Sequence, residues 1–160
     1  MNSSPNRASD ASGKSAKRST LELATAQKML PLVTRIVTDI VQSRARITRL
    51  AHEQDGLDRN RRELSWAERS RRYAVHDELA QVEKNVTVAV TELGELGVML
   101  IDPDVGAVDF PTRINGRSAA FSWQLGESGL AHWRYVEEEV RRPIPKDWQP
   151  GTTLRVRGEP

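Results

Sequence analysis

From Leu23 to Leu96 apolar residues fall largely at helical spacing, and from Val98 they switch to alternation. Leu23, Leu30, Val33, Val37, Ile40, Ile47 and Ala51 recur in threes, fours and sevens, close to a coiled-coil heptad. This spacing predicts a long amphipathic helix. Ser19 stands three residues before Glu22, a capping-box arrangement, with Thr20 as an alternative cap. Arg44 interrupts the seam, and Pro31 should kink the helix or mark off a short first segment. Polar residues and Gly56 break the periodicity from His52 to Leu64, which reads as a loop. Ser65 and Glu68 then form a second capping box, with Trp66 opening the next run. Leu79, Val82, Val86, Ala89, Leu93 and Leu96 continue it to Gly97, a helix stop. Two long helices joined by a polar loop predict an antiparallel hairpin.

The period then changes to two. Val98 to Ile101 reads as a short strand, and Asp102 to Gly106 as a turn. Asn115-Gly116 sits between two alternating runs, the strongest short-range hairpin signal, because both turn positions need φ > 0. That turn sets Phe110 against Phe121, Val108 against Trp123 and Asp109 against Ser122. A loop from Gly126 to Leu130 would lead to a last strand, Ala131 to Val136, placing Trp123 opposite Trp133 and Phe121 opposite Tyr135. The same parity puts Val98, Leu100, Val108, Phe110, Ala119 and Phe121 on one face, joined by Trp123, Leu125, Trp133 and Tyr135. The expected fold is α+β: a helical hairpin over residues 19–97, then a four-stranded antiparallel β-meander over 98–136. Together they make one domain, 19–140. Residues 1–18, Ser-rich and basic, read as a disordered tail. Residues 141–160, with Pro143, Pro145 and Pro150, read as an extended tail that Trp148 could anchor.

Composition narrows the function classes. Without cysteine, neither a disulfide framework nor a thiolate metal site can form. The longest aliphatic run is too short to span a bilayer and no secretory signal is visible, so a soluble cytoplasmic protein is expected. Net charge is only +2. Nine arginines nevertheless gather between Arg44 and Arg72, diluted by Glu53, Asp55, Asp58, Glu63 and Glu68. Such a tip could contact nucleic-acid phosphates, although a solvated helix face laced with i,i+4 ion pairs is the simpler reading.

With those elements in place, the chain resembles the uncharacterised prokaryotic domain of unknown function 2203 family. The matching pieces are Thr20 to Ala24, Leu30-Pro31, Gly97-Val98, Val108-Asp109-Phe110-Pro111, Gly116-Arg117, Trp123, Leu125-Gly126-Glu127 and Trp133. The resemblance spans roughly residues 19–136 and implies a fold without an activity. Where the family tends to carry histidine after the last tryptophan, this chain has Arg134.

Two surfaces compete for function. The polar side of the sheet collects Asp109, Ser122, Gln124, His132 and Arg134, with Glu127 in the adjoining loop. A carboxylate–imidazole–guanidinium cluster of this kind could hold a small ligand or a metal, but a wet polar sheet face needs no function. The three histidines show no metal-ligand spacing, no catalytic nucleophile has a signature, and any cofactor is unknown from the sequence. Met99 and Ile101 share that polar side and ask for a cover. The second surface is apolar. Ile36 and Val41 flank the main row of the first helix, and Val75, Val88 and Val90 that of the second. One partner helix covers only a narrow seam, so a homodimer burying these flanks is the leading expectation, with a non-catalytic interaction or self-association role.

Overall fold

The computed structural model describes residues 20–149, so the expected tail over 1–18, the Ser19 cap and residues 150–160 lie outside it. Two helices come first, α1 (Leu23–Arg59) and α2 (Trp66–Glu95). Five strands follow: β1 (Met99–Asp102), β2 (Ala107–Ile114), β3 (Arg117–Gln124), β4 (His132–Tyr135) and β5 (Arg142–Pro143). A short 3-10 turn at Lys146–Trp148 ends the described chain. The α+β architecture of helical hairpin and antiparallel meander is as expected, with strand order equal to chain order. No described helix is long and apolar enough to cross a membrane.

The start of α1 differs from the capping box expected there. Glu22 is itself the N-cap and makes no side-chain capping bond. The preceding backbone is tied to the sheet instead: the Leu21 N–H donates to the Pro111 carbonyl at 2.7 Å. Pro31 lies inside α1 without ending it. Its ring faces solvent, where the carbonyl it leaves unpaired can bond water. The helix also runs on through His52 and Gly56 to Arg59, so the expected loop shrinks to a few residues. Leu57 explains this, because its side chain packs on the far core with Leu50, Val75 and Val82. α2 begins as read: the Ser65 hydroxyl accepts from the Glu68 N–H while the Glu68 carboxylate accepts from the Ser65 N–H. Gly97, at φ 78°, ends the hairpin.

Asn115 (φ 51°) and Gly116 (φ 74°) form the two-residue turn, and β2 and β3 pair with Phe110 opposite Phe121 and Asp109 opposite Ser122. The next pairing is two residues off the expected register: Phe121 faces Trp133 and Ala119 faces Tyr135. A shift of two keeps every side chain on its face, so the aromatic row stays inward. The longer connection is held by Glu127, whose N–H donates to the Gln124 carbonyl while its own carbonyl accepts from Trp123 Nε1. A fifth strand extends the meander beyond the four expected, pairing Trp133 with Arg142 and His132 with Pro143. Trp148 packs on Trp133, ring centroids 5.6 Å apart.

The main core lies between the sheet and the near half of the helix pair. Val33, Val37, Ile40 and Leu93 meet Val108, Phe110, Phe121 and Trp123, and Ile144 closes one side. Gly106 brings the β1–β2 turn flat against α1. A Cβ there would stand 2.7 Å from Val37 Cγ1 and 2.8 Å from Leu125 Cβ, at a φ of 71°. Two of the flanking residues assigned to an interface are spent inside the chain: Ile36 is 6% exposed and Val75 0%. Val41 is half-buried, packing beside Val37 on the core. Val88 and Val90 remain exposed.

Candidate functional site

On the outer side of the sheet, pairing across β2, β3 and β4 aligns Asp109, Ser122 and His132 in one row. Met99 extends it on β1 and Pro143 on β5. Arg134 lies two residues along β4 and forms a tight ion pair with the buried Asp109 carboxylate. Its other terminal nitrogen donates to the carbonyls of Val136 at 3.3 Å and Glu138 at 3.1 Å. The chain leaving β4 is thereby folded back along the sheet. Arg141 then grips Glu127 with both terminal nitrogens, at 2.8 and 2.9 Å, and reaches the Ser122 carbonyl at 3.0 Å. Planar two-pronged pairing of this kind fixes geometry as well as charge.

Between the sheet and this returning segment lies an open cleft of about 530 Å³. Four of the six predicted residues line it: Asp109, Ser122, Gln124 and Arg134, with Ile101 and Val136 adding apolar wall. Glu127 and His132 stand outside that lining. Glu127 belongs to the Arg141 pair, and the buried His132 Nδ1 has no hydrogen-bond partner among the described residues. Arg141, Glu138 and Arg142 are the participants that sequence reasoning missed, because they fall in the stretch read as a tail. Their signal was the acidic run Glu137 to Glu139 followed at once by two arginines.

Electrostatics divide the two acids. Burial pushes the Asp109 carboxyl up, with the Arg134 and Arg141 charges pulling it back. The Arg141 hydrogen bonds hold Glu127 below the usual carboxylate range, burial opposing and the Gln124 N–H assisting. Chemically, the cleft offers few free groups, since both guanidiniums already bind acceptors within the chain. Among the described residues, no three His, Asp or Glu side chains gather as a metal would require.

The arginine-rich end resolves differently. Arg46 pairs with Glu78 at 2.9 Å, Arg71 with Glu53 at 2.6 Å and Arg72 with Asp58 at 2.6 Å, all between α1 and α2. Arg44 leaves the group to pair with Asp104 of the β1–β2 turn at 3.0 Å. The ion pairs are thus interhelical rather than i,i+4. Beside them, α2 exposes Trp66 at 80% and Tyr73 at 68%, an aromatic pair absent from the sequence-based surface.

The family described as Uncharacterized conserved protein (DUF2203) matches residues 20–144. The chain belongs to the DUF2203 family. The match runs past Tyr135 to Ile144, so β5 and the returning Arg141 segment fall within the DUF2203 region. Neither the curated proteins nor the solved structures give a match. In this DUF2203 chain Arg134, standing where histidine was expected, neutralises Asp109.

Proposed function

We propose that this DUF2203 chain is a non-catalytic interaction module that self-associates through the outward face of α2. One observation carries the reading: α2 exposes Trp66, Tyr73 and Val88, Val88 at 58%, with Tyr73 and Val88 standing at the edges of grooves shared with α1. At about 100° per residue Tyr73 lies about 20° from Trp66 and Val88 about 60° from Tyr73, so the three share one broad sector of the helix. Large aromatics left in water on one stripe mark an interface, and Trp and Tyr dominate interface energetics. The expected flank through Ile36 and Val75 cannot serve, because both are buried within the chain. A ligand role for the outer cleft is weaker, since Arg134 and Arg141 already bind acceptors there.

Sedimentation velocity across the micromolar range tests this reading. The 18.0 kDa chain should approach twice its mass as concentration rises. Tyr73→Lys with Val88→Lys should hold it monomeric, with an unchanged thermal midpoint because both positions are exposed. A wild-type chain that stays monomeric at high micromolar concentration would overturn the reading and put the cleft ahead.

A further inference from the structure

The outward face of α2 has an order as well as a composition. Its first half carries Trp66, Ser70, Tyr73 and Asp77, in steps of four, three and four. Its second half carries Lys84, Val88, Thr91 and Glu95, again in steps of four, three and four. All eight are exposed. In spacing, though not in residue type, the stripe is symmetric about a midpoint between Ala80 and Gln81. A two-fold axis through that midpoint would lay α2 antiparallel on its own copy, the self-contact that the commonest oligomer symmetry requires.

From this we infer that α2 pairs with α2 of a second copy, antiparallel, in the register that sets Asp77 against the partner's Lys84. The inference rests on self-association through α2 and adds the occupant's identity, direction and register. The chemistry of the inner facing positions supports it, while the outermost pair sets Trp66 against the partner's Glu95. Among the described residues neither Asp77 nor Lys84 takes part in an ion pair, so each can meet its opposite across the axis. Tyr73 falls against the partner's Val88, aromatic on aliphatic. Ser70 falls against the partner's Thr91, two hydroxyls that can bond each other. Ala80, small and exposed, sits where the two backbones come closest.

Alternatives put like on like. A parallel pair aligns Asp77 with Asp77 and Lys84 with Lys84. An antiparallel pair slipped by one heptad recreates one of those clashes at its centre. Like charges set face to face select against such arrangements. The contact is modest, a stripe about 45 Å long and about 10 Å wide. That lies toward the small end of specific interfaces, so dimerisation is reversible in the micromolar range.

The absence of cysteine from the sequence makes a clean test. Ala80→Cys should cross-link to itself under mild oxidation, because the axis passes beside it, whereas Trp66→Cys should not. Asp77→Lys and Lys84→Asp should each weaken the homodimer by roughly tenfold or more, two repulsive contacts replacing two attractive ones. Mixing these two variants should restore association as a heterodimer, in which both contacts are again opposite in sign. Self-cross-linking of Trp66→Cys, or a dimer lost in Tyr73→Lys yet indifferent to both charge changes, would overturn the register while leaving association through α2 standing. A wild-type chain monomeric throughout would remove both. Circular dichroism melts of each variant verify that the fold is intact.

Discussion

The two ends of the helical hairpin are held together by different physics. Near Gly97 the helices share a core with the sheet, and Val33, Val37 and Ile40 are fully buried against Phe110 and Trp123. Toward the tip the described residues supply no third layer. There the core shrinks to Leu50, Val75 and Val82, with partly buried Ile47, Leu57 and Leu79 around it. What replaces apolar area is charge: three arginines of the tip region reach across from one helix to acids of the other. Exposed pairs of that kind contribute little, since side-chain entropy and salt offset most of the attraction. Two helices alone bury only the seam between them, so a hairpin that outruns its sheet leaves its back face to water or to another chain.

The largest test of this contrast removes one core side chain at each end. Phe110→Ala should cost about 3–5 kcal/mol, leaving a void that the packed layers cannot close. Leu50→Ala at the thin end should cost about 2 kcal/mol, because the two helices can settle together there. Urea denaturation compares them directly, and equal costs would show that the tip is as well packed as the base. A smaller effect sharpens the picture by location. Ser65→Ala removes the capping box and should cost about 1 kcal/mol. Hydrogen exchange should quicken in the first turns of α2 while the amides of β2 and β3 keep their protection. Uniform loss of protection would mean that both ends open as one unit.

The smallest effect is electrostatic and carries opposite signs at two neighbouring acids. Glu127, held low by Arg141, contributes stability above the ordinary carboxylate range and loses it as pH falls toward its folded value. Asp109, pushed up by burial, takes its proton more readily folded than unfolded. Its contribution therefore declines as pH rises from the ordinary aspartate value through the folded one. Glu127→Gln should flatten the acid limb of a stability–pH curve, and Asp109→Asn should steepen it. Finding the two slopes reversed would mean that the charges are arranged otherwise.

Much of this fold was legible because its signals are local. The Asn115-Gly116 turn and the strands beside it specify their pairing without reference to the rest of the chain, and Ser65 with Glu68 starts α2 in the same way. Errors arose where the deciding partner is distant. Face parity cannot tell a register from one shifted by two, so the β3–β4 pairing depended on bonds made by Glu127. The stretch around Gly56 stays helical because Leu57 finds the far core, a contact its neighbours do not announce. At the outer sheet face, parity collected Asp109, Ser122, His132 and Arg134 correctly. It could not show that Arg141 returns to hold Glu127. The exposed side chains of α2 escaped for another reason: Trp66 reads as the opening of a buried run, and only its exposure in the folded chain shows otherwise.

The order of elements along the chain also sets a schedule for synthesis. Both helices are complete before any strand of the sheet exists, yet the layer that covers α1 is finished only when Ile144 has been made. At about 5–20 residues per second, the stretch from Gly97 to Ile144 occupies the ribosome for a matter of seconds. For that interval the face of α1 that carries Val33, Val37 and Ile40 lacks the sheet that covers it in the finished fold.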